Sequence, residues 1–121
     1  MTPFGRRMRE MRTERGVTLT QMAEQIGVSA AYLSALEHGK RGQPTWMMLQ
    51  RIMAYFNVIW DEAEELQRLA ELSDPKITID TGGMTPEATE LANRLAADIG
   101  RLSAEDLSFL KTEVMKRAGK R

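Results

Sequence analysis

The chain has 121 residues, 42% hydrophobic and 28% charged, with zero formal net charge and no cysteine. That size fits one domain, or a small domain with an extension, and the composition excludes a disordered chain. The lack of cysteine excludes disulfides and thiolate metal sites and fits a reducing cytoplasm; no apolar run nears the ~20 residues that span a bilayer, and the N-terminal MTPFGRRMREMR has no apolar signal core.

The charge is unevenly spread. Residues 1–60 hold eight Arg and Lys against four Asp and Glu, whereas residues 61–121 hold nine against thirteen. A basic front half joined to an acidic back half fits a nucleic-acid-binding face followed by a partner-facing region.

In chain order, Pro3 to Arg15 reads as a first helix, with Pro3 tolerated in its first turn. Phe4, Met8 and Met11 recur at i, i+4 and i+7, with five arginines between them; those arginines suit either a solvated face or phosphate contact. Gly16 closes the helix. The stretch Thr18 to Gly39, TLTQMAEQIGVSAAYLSALEHG, reads as two short helices joined by a tight turn. Thr18 and Gln21 form a capping box, and Met22, Ala23 and Ile26 share one face. Gly27 takes the left-handed position past the last turn. Val28 plugs the turn, Ser29 caps the next helix, and Leu33 and Leu36 are its apolar face. Two helices held at a fixed angle in this way form a helix-turn-helix, whose second helix can lie in the major groove.

Thr45 caps a fourth helix, Trp46 to Phe56, with Trp46, Leu49, Ile52, Met53 and Phe56 as the expected core stripe. Met47, Met48 and Tyr55 widen the apolar surface, which calls for cover by the rest of the chain or by a second subunit. Trp60 to Leu72 reads as a fifth helix, opened by acidic residues that suit its dipole. Ser73-Asp74-Pro75 breaks it. Residues 76–80, KITID, alternate polar and apolar positions and predict a strand. A lone strand leaves its backbone unpaired, so Ile77, Thr78 and Ile79 are expected to pair with a second subunit. Two further helices are predicted over 86–99 and 104–117 as an antiparallel hairpin, too small to fold well alone. The basic end, including Lys120 and Arg121, suits a helix C-terminus or a loose DNA contact.

The segment GRRMREMRTERGVTLTQMAEQIGVSAAYLSALEHGKRGQPTWMMLQRIMAYFNV, about residues 5–58, resembles the lambda-repressor-like domain of the Cro/CI or XRE family of bacterial transcription regulators. The resemblance implies a bundle of five helices, usually a dimer on an inverted repeat. In it the second helix buttresses and the third reads DNA. The organisation expected is therefore all-α: a DNA-binding domain over 1–72, then a C-terminal extension over 73–121 for dimerisation or a partner.

Within that frame Arg6, Arg7, Gln21, Ser29, Lys40, Arg41 and Thr45 are expected at phosphates. Ala30, Ala31, Tyr32 and Ser34 are expected to face bases. Leu19 and Ala30 stand where relatives often carry long polar residues. An Ala30-Ala31 pair can touch thymine methyls but makes no bidentate bond to guanine or adenine. Glu37 is expected to pair with a basic side chain, and the single histidine, His38, to be a surface loop residue.

The function expected is a sequence-specific DNA-binding transcriptional regulator, a cytoplasmic, nucleoid-associated homodimer of the repressor type, with its third helix, about 30–38, in the major groove. Two other readings stay open: an antitoxin-like or other protein-interaction module, and a weakly specific architectural DNA-binding protein. The sequence holds no nucleophile–base pair, no metal-ligand spacing and no nucleotide loop, so no enzyme, no cofactor and no metal is expected.

Overall fold

The computed structural model describes residues 1–40 and 42–119. They divide into two units, Met1–Ile77 and Thr78–Arg121.

The first unit is built from five helices: α1 (Pro3–Glu14), α2 (Leu19–Ile26), α3 (Ala30–His38), α4 (Trp46–Phe56) and α5 (Asp61–Glu71). Each of the first four is started by a threonine or serine hydroxyl that accepts a backbone N–H of the first turn: Thr2 from Gly5, Thr18 from Gln21, Ser29 from Tyr32 and Thr45 from Met48. These oxygens satisfy donors that have no partner inside the helix. Gly27 ends α2 and Gly39 ends α3, both left-handed at φ 89° and 82°.

The core runs through all five helices. Phe4 and Met8 of α1, Met22 of α2, Leu33 and Leu36 of α3, Ile52 of α4 and Leu66 of α5 are almost wholly excluded from solvent. α1 packs against α3 and α5, α2 against α3 and α4, and α4 against α5. Burying each such side chain contributes about 1.5–3 kcal/mol, so the bundle is held chiefly by this apolar cluster.

Polar links fix the chain ends onto that core. Ser73 is buried just past α5, where its hydroxyl accepts the Phe4 N–H at 2.9 Å and donates to the Leu69 carbonyl. One serine thus ties the exit of α5 to the first turn of α1. Arg15 donates to the carbonyls of Tyr55 and Phe56 at 3.1 and 2.6 Å, satisfying the C-terminal end of α4, and its guanidinium lies over both rings.

One side chain falls outside the expected core. Trp46 is 69% exposed, and Met48 takes the buried place beside Leu49, Ile52, Met53 and Phe56. Trp46 is the first residue of α4, before the helix has turned its face inward. Trp60 precedes α5 as its cap residue, at φ 54° and ψ −125°, and is 80% exposed.

The second unit contains α6 (Pro86–Asp98), a single 3₁₀ turn at Ile99–Arg101, and α7 (Ala104–Arg117), which Ser103 and Asp106 open with a capping box. Neither α6 nor α7 has a buried residue.

The all-α class stands, but the strand expected at 76–80 is not formed: the described residues contain helices and no strand. The Asp74 carboxylate accepts the Lys76 N–H and the Asp80 carboxylate accepts the Gly82 N–H, closing a side-chain turn at each end of the segment. Between them the backbone is irregular, and Ile77 and Ile79 stand 70% and 57% exposed. The two side-chain turns take up backbone N–H groups at the ends of the segment, a competition that alternation alone does not reveal. The dimerisation role expected of Ile77, Thr78 and Ile79 was argued from that strand, which the described residues do not form.

Candidate nucleic-acid interface

The turn between α2 and α3 is made by three local devices. The Gly27 N–H and the Val28 N–H both reach the Ala23 carbonyl, at 2.9 and 3.0 Å, which closes the end of α2. Val28 folds back, half-buried, against the core. Ser29 then starts α3 at once. The angle between the two helices is therefore set by backbone bonds and one apolar plug.

α3 is held in place from α1. Gly5 lies buried against Glu37, where a Cβ would collide with the Glu37 carbonyl oxygen and backbone. Two turns further along α1, the Arg12 guanidinium grips the Glu37 carboxylate through Nε at 3.0 Å and Nη2 at 3.4 Å, and Nη1 donates to the Val17 carbonyl. Glu37 is 2% exposed. The same residue thus meets α1 through its backbone and through its side chain, which fixes both the depth and the rotation of α3. Its expected pairing with a basic side chain is present.

That rotation decides what α3 presents. Leu33, Leu36 and Glu37 point inward. The outward face, by helical spacing, is Ala31, Ser34, Ala35 and His38. Ala31 and His38 are exposed, and Ser34 and Ala35 half-buried. Of the four residues expected at bases, Ala31 and Ser34 lie on this face. Ala30 and Tyr32 are half-buried and pack against the core. His38 belongs to the last turn of α3, not to a loop, and its Nδ1–H donates to the Ser34 carbonyl at 2.8 Å. That bond leaves Nε2 of this exposed residue as an acceptor when the ring is neutral. Its spacing of seven from Ala31 and four from Ser34 is the sequence signal that assigns it to this face.

The residues expected at phosphates are dispersed. Gln21, Ser29, Lys40 and Thr45 are exposed. Gln21, Ser29 and Thr45 use one oxygen each as a cap, which leaves the Gln21 amide N–H groups and both hydroxyl protons for an acceptor outside. Arg41 lies outside the described residues, as do Lys120 and Arg121. Arg6 is exposed on the outer side of α1. Arg7 points toward α5: it is bonded to Glu10 at 3.3 Å, lies 3.9 Å from Glu14, and lines a small cavity with Val58, Glu62 and Leu66. Arg12 and Arg15 hold the bundle together. Among the described residues no cluster of His, Cys, Asp and Glu could hold a metal ion, and no helix is long and apolar enough to cross a membrane.

Two short helices joined by a glycine turn, the second clamped with one face outward, define a helix-turn-helix protein. A family model described as the helix-turn-helix domain matches residues 3–69. Two proteins of Bacillus subtilis (strain 168) are similar over nearly their whole length. One is the uncharacterized HTH-type transcriptional regulator RghRB, 29% identical, with 98% of each chain covered. The other is the HTH-type transcriptional repressor RghR, 30% identical, again with 98% of each chain covered. The HTH-type transcriptional regulator SinR of the same organism is 31% identical over 68 residues, 53% of this chain and 61% of SinR. The chain belongs to the helix-turn-helix family, of the XRE type, and is a sequence-specific DNA-binding transcriptional regulator. These relatives carry the names of regulators, not of enzymes.

Proposed function

We propose that the protein is a dimeric repressor that lays α3 of each subunit in successive major grooves, on half-sites about one helical turn, ~34 Å, apart. The observation that carries this is the outward face of α3, held by the Gly5 and Arg12 contacts to Glu37 while its Ala31 and His38 are exposed and Ser34 lies half-buried between them. Ala31 offers a methyl group to thymine; Ser34 and His38 offer a hydroxyl and a ring nitrogen to base edges or to bridging water. Gln21, Ser29, Lys40, Arg41 and Thr45 hold phosphates and fix the register. Arg6 adds long-range attraction, and Arg7, engaged with Glu10 and Glu14, contributes less.

The subunits associate through the C-terminal extension. Its support is the exposure of Leu91, Ile99, Phe109, Val114 and Met115, apolar side chains that a helix pair of this size does not leave in water without a partner. The same exposure favours a second reading, in which a different protein docks on α6 and α7 and controls the regulator. The protein then works in the cytoplasm, on the nucleoid.

The test is to incubate the purified chain with fragmented genomic DNA at near-physiological salt and sequence what it retains. An enriched inverted repeat supports the dimeric repressor. Enrichment for A·T-rich DNA without a motif contradicts it in favour of an architectural protein. A stoichiometric second protein that co-purifies and abolishes the enrichment supports the partner reading.

A further inference from the structure

Three stretches distant in sequence meet at one end of the first unit: the start of α1, the loop after α3 and the exit of α5. A Cβ on Gly39, the cap of α3, would come within 2.8 Å of the Thr2 methyl at the start of α1. Ser73, buried past α5, accepts the Phe4 N–H of the first turn of α1. Two residues later Pro75 reaches the loop after α3. A Cβ on Gly42 would lie 3.4 Å from Pro75 Cδ, so the proline ring borders the space that a side chain at position 42 would enter.

That loop carries Lys40 and leads to Thr45. Its near end is firm: the Gly39 and Lys40 N–H groups both reach the Ala35 carbonyl, the second at 2.9 Å. Its far end is firm as well, because Pro44 is buried and Thr45 caps α4. Gly42, between them, is held less firmly. It takes a left-handed φ of 78°, and its N–H reaches the Gly39 carbonyl at 3.4 Å, beyond the usual range of about 2.7–3.2 Å. A glycine turn closed by so long a bond keeps much backbone freedom unless something rigid stands behind it. Pro75 is such a support. Its ring fixes its own φ. Ser73 ties the chain before it to α1, and the Asp74 carboxylate accepts the Lys76 N–H at 3.0 Å, closing a turn across it.

We infer that Pro75 is a positioning residue for DNA binding: through Gly42 it holds the loop in the form that sets Lys40 against a phosphate. The inference rests on the phosphate role proposed for Lys40 and adds what places that charge. A loop already held in its bound form loses less freedom when it meets DNA, and phosphate contacts carry no sequence information, so the support raises affinity for all sequences alike. Pro75 is itself exposed and contributes little to the apolar core. Its effect on binding is therefore separable from an effect on folding.

The test is a double-mutant cycle in the full chain, Pro75→Gly with Lys40→Ala. Affinity for a mixed-sequence DNA duplex is titrated at three salt concentrations, beside thermal unfolding and sedimentation. Lys40→Ala is expected to make the slope of log affinity against log salt shallower by about 1. Pro75→Gly is expected to weaken binding roughly threefold or more and to make the slope shallower in the same sense. Its unfolding midpoint should fall by only a few degrees, with the subunit state of the parent. In the Lys40→Ala background the same change should have about half its effect or less, because the charge it positions is gone. Pro75→Ala, which lacks Cδ but has less backbone freedom than glycine, should share the loss. Four results overturn the inference: Pro75→Gly binding like the parent, an equal loss with and without Lys40, a loss that sedimentation traces to separated subunits, or Pro75→Ala binding like the parent. An unchanged slope in Lys40→Ala alone rejects the phosphate role and the inference with it. A shallower slope there beside a silent Pro75→Gly leaves the phosphate role standing and removes only Pro75.

Discussion

The carboxylate of Glu37 and the guanidinium of Arg12 form the one buried ion pair among the described residues, with side-chain exposures of 3% and 15%. It joins the last turn of α3 to α1. Removing one partner of such a pair leaves a charge without compensation in a place water reaches poorly, at a cost of about 3–5 kcal/mol. Glu37→Ala should therefore lower the stability read from the urea midpoint by that amount, near the low end because Arg12 keeps some solvent. Arg12→Ala combined with Glu37→Ala should cost less than the two single changes together, and a double-mutant cycle reads the difference. Simple additivity would mean that the pair contributes nothing to α3.

Gly5 carries the other half of that clamp. The group it would strike is backbone, the Glu37 carbonyl, which cannot rotate away. Gly5→Ala should force α1 and α3 apart and destabilise by about 1–3 kcal/mol or more, although alanine is the better helix former. Thermal unfolding checks it. An unchanged midpoint would show that α3 can shift to accept the methyl.

Ser73 tests the closure of the first unit. Ser73→Ala leaves the buried Phe4 N–H without its acceptor, which should cost about 1–3 kcal/mol in denaturant titration. Ser73→Thr keeps the oxygen but adds a methyl at a site 2% exposed, so it should recover only part of the loss.

At the DNA, Lys40→Ala with Arg41→Ala should weaken binding to every sequence alike. The slope of log affinity against log salt should become shallower by about 2, close to one unit for each phosphate that is no longer neutralised. Titrations at three salt concentrations suffice. An unchanged slope would remove both residues from the phosphate-binding set.

Ala31 tests readout. It is exposed on α3, so Ala31→Gln should leave stability alone. A glutamine there can bond an adenine edge bidentately, and should change the preferred base at one position of each half-site by about 1–3 kcal/mol of discrimination. Selection from a randomised site library reads this. An identical selected site would show that position 31 does not meet a base.

The local signals of the helix-turn-helix are legible because they act within four residues. Thr18 with Gln21, Gly27 and Ser29 are found at the boundaries that capping chemistry assigns them. Features that depend on how helices meet are not. Trp46 fits the period of the α4 core, but as the first residue of the helix it stays in solvent. Nothing in the alternation of residues 76–80 reveals that Asp74 and Asp80 each close a side-chain turn at the ends of the segment. Gly5 reads as an ordinary helix glycine until Glu37 is packed against it. His38 reads as a loop residue beside Gly39, yet it closes the last turn of α3. On the outward face of α3, rotation is decided by the Arg12–Glu37 pair, which turns Ala30 and Tyr32 toward the core and exposes His38 on the side of Ala31.

Operator binding by a dimer is tested most directly by sequencing the genomic DNA fragments that the purified chain retains at near-physiological salt. A dimeric repressor retains one enriched inverted repeat whose half-sites lie about one helical turn apart. Retention of A·T-rich fragments without a shared motif, or no retention at all, would contradict it.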